Sequence, residues 1–167
     1  MVLDGYSARV IREWYTHIGG SPTRLQASTR YINYDNFDCV IPDSIIKDGS
    51  ALANYLLAVK TISETYKELQ DIGIPKEDIA NILPLGMSTR IVDKRNLRNL
   101  VDMSHQRMCS RAYSEYRKLF YDVSTELSKV SDEWKLVIDN LFVPKCELCG
   151  YCTEKNSCGR KPKKGSD

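Results

Sequence analysis

Three stretches of this 167-residue chain hold residue types that can do chemistry. The first, from His17 to Tyr34 (HIGGSPTRLQASTRYINY), sets Arg24 and Arg30 among Ser21, Thr23, Gln26 and Ser28, behind a glycine pair at 19 and 20. Guanidinium forks and hydroxyls suit a phosphate, and glycine lets backbone N–H groups come close to a ligand. The plain alternative is a solvated loop whose hydroxyls cap turns. The second stretch, residues 96–117, sets Asn96, Arg98, Asp102, Arg107 and Arg111 inside an otherwise apolar, helix-periodic run. Arg111 and Glu115 can pair at i,i+4, the ordinary arrangement on a solvated helix face. Arg107 has no acidic residue three or four positions away, and near a helix junction such an arginine can reach a ligand. The third stretch is the tail, where Cys146, Cys149, Cys152 and Cys158 stand as C-x2-C-x2-C-x5-C. Four thiolates so close can close a tetrahedral Zn²⁺ site, with Gly150 and Gly159 supplying tight turns. The C-x2-C-x2-C part also fits iron–sulfur ligation, although no proline follows the fourth cysteine. A tail of reduced, unliganded thiols is the third reading. Cys39 and Cys109 stand alone and read as packing residues.

The rest of the chain must position these groups. Its 42% hydrophobic and 28% charged content is that of one soluble globular domain. No apolar run approaches the roughly 20 residues that span a bilayer, and MVLDGYSARV lacks the basic-then-apolar order of a secretory signal. A cytoplasmic, membrane-free protein is expected. A net charge of +2 argues against a general nucleic-acid binder. Periodicity places a helix over 6–16, with Val10, Ile11, Trp14 and Tyr15 on one face. The polar stretch 17–34 reads as one long loop, and 37–41 (FDCVI) as a short strand. A long helix capped by Ser50 runs to Gly73, and a short one follows Pro75. Residues 85–92 form a strand. Asp93 caps the next helix, which breaks near 104–107, and two more helices follow, the last over 131–142. The basic run RKPKK (160–164) reads as a disordered terminus. The sum is α+β, mostly helical with a small sheet, organised as a body over 1–143 and a Cys-rich, basic tail over 144–167.

Taken together, the first two stretches resemble the flavin-dependent thymidylate synthases (ThyX). That family carries R-H-R-x-x-S-x-N-E-x-S-x-R-Y, later N-x-R-x-L-x-N, and then R-x-x-x-x-A-x-x-E. Here the first motif ends in Gln26, Ala27, Ser28, Thr29, Arg30 and Tyr31. The second stands as Asn96, Arg98, Leu100 and Asp102, and the third as Arg107, Ala112 and Glu115. The LPL at 83–85, before Thr89–Arg90, fits the strand entering the second motif. The resemblance implies a homotetramer with active sites where subunits meet. It implies reductive methylation of dUMP to dTMP, with methylenetetrahydrofolate as carbon donor and FAD reduced by NADPH. Carried over by position, Ser28 and Arg107 are the catalytic pair, and Gln26, Ser28, Arg30 and Arg107 hold dUMP. His17, Ile18, Asn96, Arg98 and Asp102 contact FAD. Arg107 would polarise the uracil by placing positive charge where negative charge develops.

The departures from the pattern are specific. Tyr15, Thr16 and His17 take the place of the R-H-R triplet, and the loop after them is about two residues longer than the family's usual one. Leu25 and Gln26 replace the Asn-Glu pair, Ala80 replaces a phosphate-binding arginine, and Asp102 replaces an asparagine. Arg24 is the candidate to restore the missing phosphate charge. The family also carries a further N-terminal strand and helices with a flavin-contacting histidine, so a shortened, inactive synthase is one alternative. A small metal-bearing nucleic-acid-binding or interaction protein that works through its tail is another.

Overall fold

The computed structural model describes residues 1–20 and 22–165. The chain divides into two compact units: Met1–Thr16 with Thr23–Lys94, and His17–Pro22 with Arg95–Asp167.

The first unit is built on a three-stranded antiparallel sheet. Strand β1 is Val2–Ser7, β2 is Thr23–Gln26 and β3 is Ser88–Lys94, in the order β1-β3-β2. β3 alternates: Thr89, Ile91 and Asp93 are buried, while Arg90, Val92 and Lys94 are exposed. One face therefore packs inward, as the two-residue period of a strand requires. Leu3 lies opposite Ile91, and the ladder bulges between Asp4 and Tyr6. Helix α1 (Ala8–Trp14) follows β1 directly, because the Ser7 Oγ accepts from the Val10 N–H at 3.2 Å and stops the strand. It buries Val10, Ile11 and Trp14, the face its periodicity predicts.

After the short helix α2 (Asp43–Ile46) comes α3 (Gly49–Asp71), 23 residues long. Its cap is Asp48, whose carboxylate accepts from the N–H groups of Ser50 and Ala51, both at 2.9 Å, so the predicted cap Ser50 lies inside the helix. α3 buries Tyr66 completely, in a small core with Tyr34, Ile79 and Met87, but leaves Leu56 and Leu57 exposed. Helix α4 (Lys76–Ile79) and a 3₁₀ turn over Ala80–Ile82 complete the unit.

The second unit is helical. α5 (Leu97–Arg107), α6 (Ser114–Ser128) and α7 (Asp132–Leu141) bury Leu100, Met103, Tyr116, Leu119, Phe120 and Ile138. Asn96 caps α5, its Oδ1 accepting from the Asn99 N–H at 2.8 Å. Ser131 caps α7 through the Trp134 N–H at 3.3 Å. Phe142 closes on Phe120 with ring centroids 5.8 Å apart. A short helix α8 (Lys145–Cys149) opens the tail.

The α+β class is as expected, but several local readings need correction. Residues 17–34 are not one loop, since β2 lies inside them. Thr23, Leu25 and Gln26 are exposed, so β2 is held by its ladder to β3 and shows no hydrophobic alternation. β1 was not foreseen, because Leu3 and Ser7 are its only buried residues. The strand predicted at 37–41 is a single bridge, Cys39 to Met87. Asp93 does not cap α5. It is buried in β3, and Asn96 takes the role. α5 runs unbroken through 104–107, with the junction falling after Arg107. The basic run is not loose either: Cys152 bridges to Lys163, donating its N–H to the Pro162 carbonyl at 2.7 Å.

Removing the α1 cap should be felt throughout the first unit. Ser7→Ala is expected to cost about 1 kcal/mol, a fall in Tm of about 2–4 °C for a chain of this size. Thermal denaturation followed by circular dichroism would measure it, and an unchanged Tm would remove the cap from the account.

Candidate functional site

Arg107, at the last position of α5, is the most constrained of the predicted residues. Its Nε donates to the Nε2 of His17 at 3.0 Å, and its guanidinium lies over the Tyr116 ring, 4.6 Å from the centroid. The His17 ring is stacked against the same tyrosine, with centroids 6.4 Å apart. Tyr116 is fully buried, so it forms a fixed wall for both. Because His17 Nε2 accepts, its proton sits on Nδ1 and the ring is neutral. Burial lowers its pKa to about 4, with the charges of Arg107 and then Arg95 adding to the effect. The arginine is thus held by a neutral acceptor and an aromatic face.

The segment carrying His17 lies against the start of α5. A Cβ on Gly19 would come within 2.9 Å of the Asn99 Nδ2, and one on Gly20 would collide with the Asn96 side chain. Gly20 also has φ +73°, which a side chain rarely tolerates. Arg95 Nη1 donates to Asn99 Oδ1 at 2.7 Å and reaches the His17 carbonyl at 3.5 Å. Two predicted positions, His17 and Asn96, are therefore gathered beside Arg107's helix. Ile18 is exposed, and Ser21 lies outside the described residues. Arg98 and Asp102 pair with each other at 3.2 Å on the exposed face of α5.

In the first unit, Ser28 and Arg30 share one turn. The Ser28 Oγ accepts from the Arg30 N–H at 3.2 Å, and the Arg30 Nε donates to Glu77 at 2.7 Å. Both members of that ion pair are more than half exposed, so it holds Arg30 weakly. Gln26 is exposed at the end of β2, opposite Ile91. Arg24 turns to Tyr15: its Nη1 donates to the Tyr15 carbonyl at 2.7 Å, and the guanidinium covers the ring at 4.6 Å.

Sequence reasoning missed Arg95, Asn99 and Tyr116. Tyr116 was read only as a core residue of its helix, and Arg95 and Asn99 flank a motif that draws attention to its alternate positions. The clash of Gly20 with Asn96 links two motifs more than seventy residues apart, which no local pattern shows.

The cysteines Cys109, Cys146, Cys149, Cys152 and Cys158 all line one cavity of about 860 Å³ in the second unit. All of them are free thiols. Among the described residues, no three His, Cys, Asp or Glu side chains are already gathered as a metal-binding group.

Comparison with known proteins identifies the family. The model of one family, thymidylate synthase complementing protein, matches residues 1–131. A flavin-dependent thymidylate synthase of Pyrococcus furiosus is 31% identical over 147 residues, covering 83% of this chain and 60% of that protein. One of Pyrococcus abyssi is 34% identical over 134 residues, covering 78% of this chain and 55% of that protein. One of Nitratidesulfovibrio vulgaris is 30% identical over 150 residues, covering 82% and 58%. The chain thus spans a little over half the length of the curated relatives it matches.

The neutral His17 gives a measurable pH signature. Its folded pKa lies below its ordinary value, so between about 6.5 and about 4 the unfolded chain binds more protons than the folded one. The stability held by this group is complete above that window and is lost as pH falls through it. An NMR titration should place the His17 midpoint near 4, and Arg107→Ala should move it up, because one positive neighbour is gone. A midpoint near 6.5 in the unmodified protein would show that the ring is not held as described.

Proposed function

We propose that this chain, which belongs to the thymidylate synthase complementing protein family, is a flavin-dependent thymidylate synthase that converts dUMP to dTMP, with methylenetetrahydrofolate as carbon donor and NADPH as the source of reducing equivalents. The observation that supports it best is Arg107, held by a neutral histidine and an aromatic ring at the motif position from which the family's arginine takes its substrate.

The residues present suit FAD. Asn96 and the exposed guanidinium of Arg98 stand at the amino end of α5, where N–H groups and the helix dipole favour a phosphate-bearing group. The glycine pair packs directly on that end. Asn96, Arg98, His17 and Ile18 would hold the cofactor, and Asp102 would act by orienting Arg98. Bound there, FAD supplies the hydride that reduces the transferred carbon.

The chain's own residues supply binding and charge. Arg30 and Ser28 would take the dUMP phosphate: Arg30 exchanges a solvent-exposed partner for a dianion, and Ser28 offers its hydroxyl from the same turn. Gln26 would add an amide from the strand end. Arg107 would place its charge against the uracil carbonyls and stabilise the ring as negative charge builds on it. His17 cannot donate to Arg107, so it fixes where the guanidinium points and does not add to the charge there. Arg24 would bring a further cation to the phosphate by leaving the Tyr15 carbonyl.

A homotetramer with shared sites completes the proposal. The exposed Leu56 and Leu57 of α3 are the kind of surface a second copy covers. No helix among the described residues is long and apolar enough to cross a membrane, and the proposed location is the cytoplasm, where thiols stay reduced.

Two experiments test this reading. The purified protein should be yellow, and its flavin spectrum should shift when dUMP is added. It should also let a thymidine auxotroph grow without thymidine. Arg107→Ala should lower dTMP formation by about 10²–10³-fold. Failure to retain flavin in excess FAD and dUMP would overturn the proposal, whereas retained flavin without growth would identify an inactive synthase. Arg24→Ala should raise the dUMP dissociation constant and leave flavin content unchanged. Unaltered dUMP affinity would confine Arg24 to holding Tyr15.

A further inference from the structure

Arg95 breaks a local rule. It stands directly before Asn96, the cap of α5, where the helix dipole disfavours a positive charge. Strand β3 ends at Lys94 and α5 begins at Leu97, so neither element calls for a cation between them. A residue that opposes its neighbouring helix in this way marks a position used for something else.

Its contacts show what that use is. The Arg95 Nη1 donates to the Asn99 Oδ1 at 2.7 Å and meets the Met103 sulfur. Positions 95, 99, 103 and 107 follow one another at i+4, so the side chain lies along α5 in the direction of Arg107. The His17 segment lies across the same row. Its carbonyl is 3.5 Å from the Arg95 Nη1, and its Nε2 accepts from the Arg107 Nε at 3.0 Å. The carbonyl contact is at the outer limit of a hydrogen bond, so placement at this end rests mainly on Asn99. Asn99 is buried, and the bond to Arg95 decides which way its amide faces. With Oδ1 turned to Arg95, Nδ2 is turned to Gly19, where it would meet an added Cβ at 2.9 Å. Reversed, the amide would set donor against donor at the guanidinium. The seat on which Gly19 rests, two residues after His17, is therefore set by Arg95.

We propose that Arg95 is a positioning residue for Arg107: by orienting the Asn99 amide it fixes the path of residues 17–20 on α5, and through His17 it fixes the angle of the Arg107 guanidinium over Tyr116. Arginine suits this task, because its planar fork holds a direction that a single ammonium does not. The same side chain also adds its charge to the burial that keeps His17 neutral, so the ring stays an acceptor for Arg107. The placement is read without any ligand. Its consequence for turnover rests on the proposed synthase reading, in which Arg107 sets its charge against the uracil. Arg95 then acts through Arg107, by keeping the guanidinium in the productive direction.

Side-chain N–H exchange, followed by NMR on the full chain, tests the tie without substrate. In the unsubstituted protein the guanidinium signals of Arg95 and Arg107 should exchange about ten-fold more slowly than that of Arg98, whose pair with Asp102 is exposed. Arg95→Met keeps the side chain's length and removes its donors, and it should bring the Arg107 Nε–H to the rate of Arg98. Gly19→Ala disturbs the seat from the other side and should do the same. Arg95→Lys keeps a donor for the Asn99 Oδ1 and should retain most of the protection. In a dTMP assay Arg95→Met should lower kcat about ten-fold with flavin content unchanged. An unprotected Arg95 in the unsubstituted protein would overturn the proposal, whatever the variants do. So would full protection of the Arg107 Nε–H in Arg95→Met, or a loss of flavin with kcat per bound flavin unchanged, which would make Arg95 a cofactor ligand. The expected exchange pattern in a protein that makes no dTMP would support the tie and count against the synthase reading alone.

Discussion

A guanidinium set against a buried aromatic ring needs an acceptor that fixes where it points, and His17 supplies one to Arg107. Its Nε2 accepts the Arg107 Nε hydrogen, while burial and then the charges of Arg107 and Arg95 oppose its protonation. Burial, with the neighbouring cation adding to it, keeps the imidazole neutral, and the neutral imidazole orients the cation. Tyr116 supplies the rigid surface against which both are set, and its burial in α6 is what makes the arrangement reproducible.

That pairing needs His17 to arrive at the right place from a distant part of the chain, and the glycine pair meets the need by subtraction. Gly19 and Gly20 pass so close to Asn99 and Asn96 that a side chain on either would push the segment off α5. Asn96 must meanwhile cap the helix through the Asn99 N–H, so its side chain cannot move aside cheaply. Arg95 completes the tie from the other side through Asn99 and the His17 carbonyl. One turn of helix thus fixes its own start, the path of the His17 segment and, through it, the direction of Arg107.

How much of this could be read in the sequence follows from the range of each interaction. Helices α1, α3, α6 and α7 were legible because each repeats apolar residues at the helical period. β1 and β2 were not, because both flank β3 with mostly exposed side chains and are held by backbone bonds that leave no trace in residue type. At the site, Arg107 stood out by its want of an acidic neighbour along the helix, and His17 by its place in the motif. Their bond was invisible, since it spans ninety residues. That Cys109 shares a cavity with the tail cysteines was invisible for the same reason: spacing groups the tail cysteines with one another, while the fold adds a residue of the α5–α6 junction.

The acid at 102 changes what the first turns of α5 can offer a ligand. Read from the motif, Asp102 costs a hydrogen-bond donor. In the fold it also takes up Arg98, which lies four positions before it on the same exposed face. An exposed pair of this kind holds for less than about 1 kcal/mol, far less than a guanidinium gains from a phosphate oxyanion. The pair therefore does not block Arg98. It parks the side chain along the helix when no anion is present, and a phosphate would have to displace Asp102, leaving a carboxylate free beside the ligand. Attraction at this end of α5 then rests mainly on Asn96 and the helix terminus, which hold polar groups without net charge. An anion received at this end of the helix would therefore be held less by charge pairing than by geometry, the geometry already fixed by the glycine pair and the Asn96 cap.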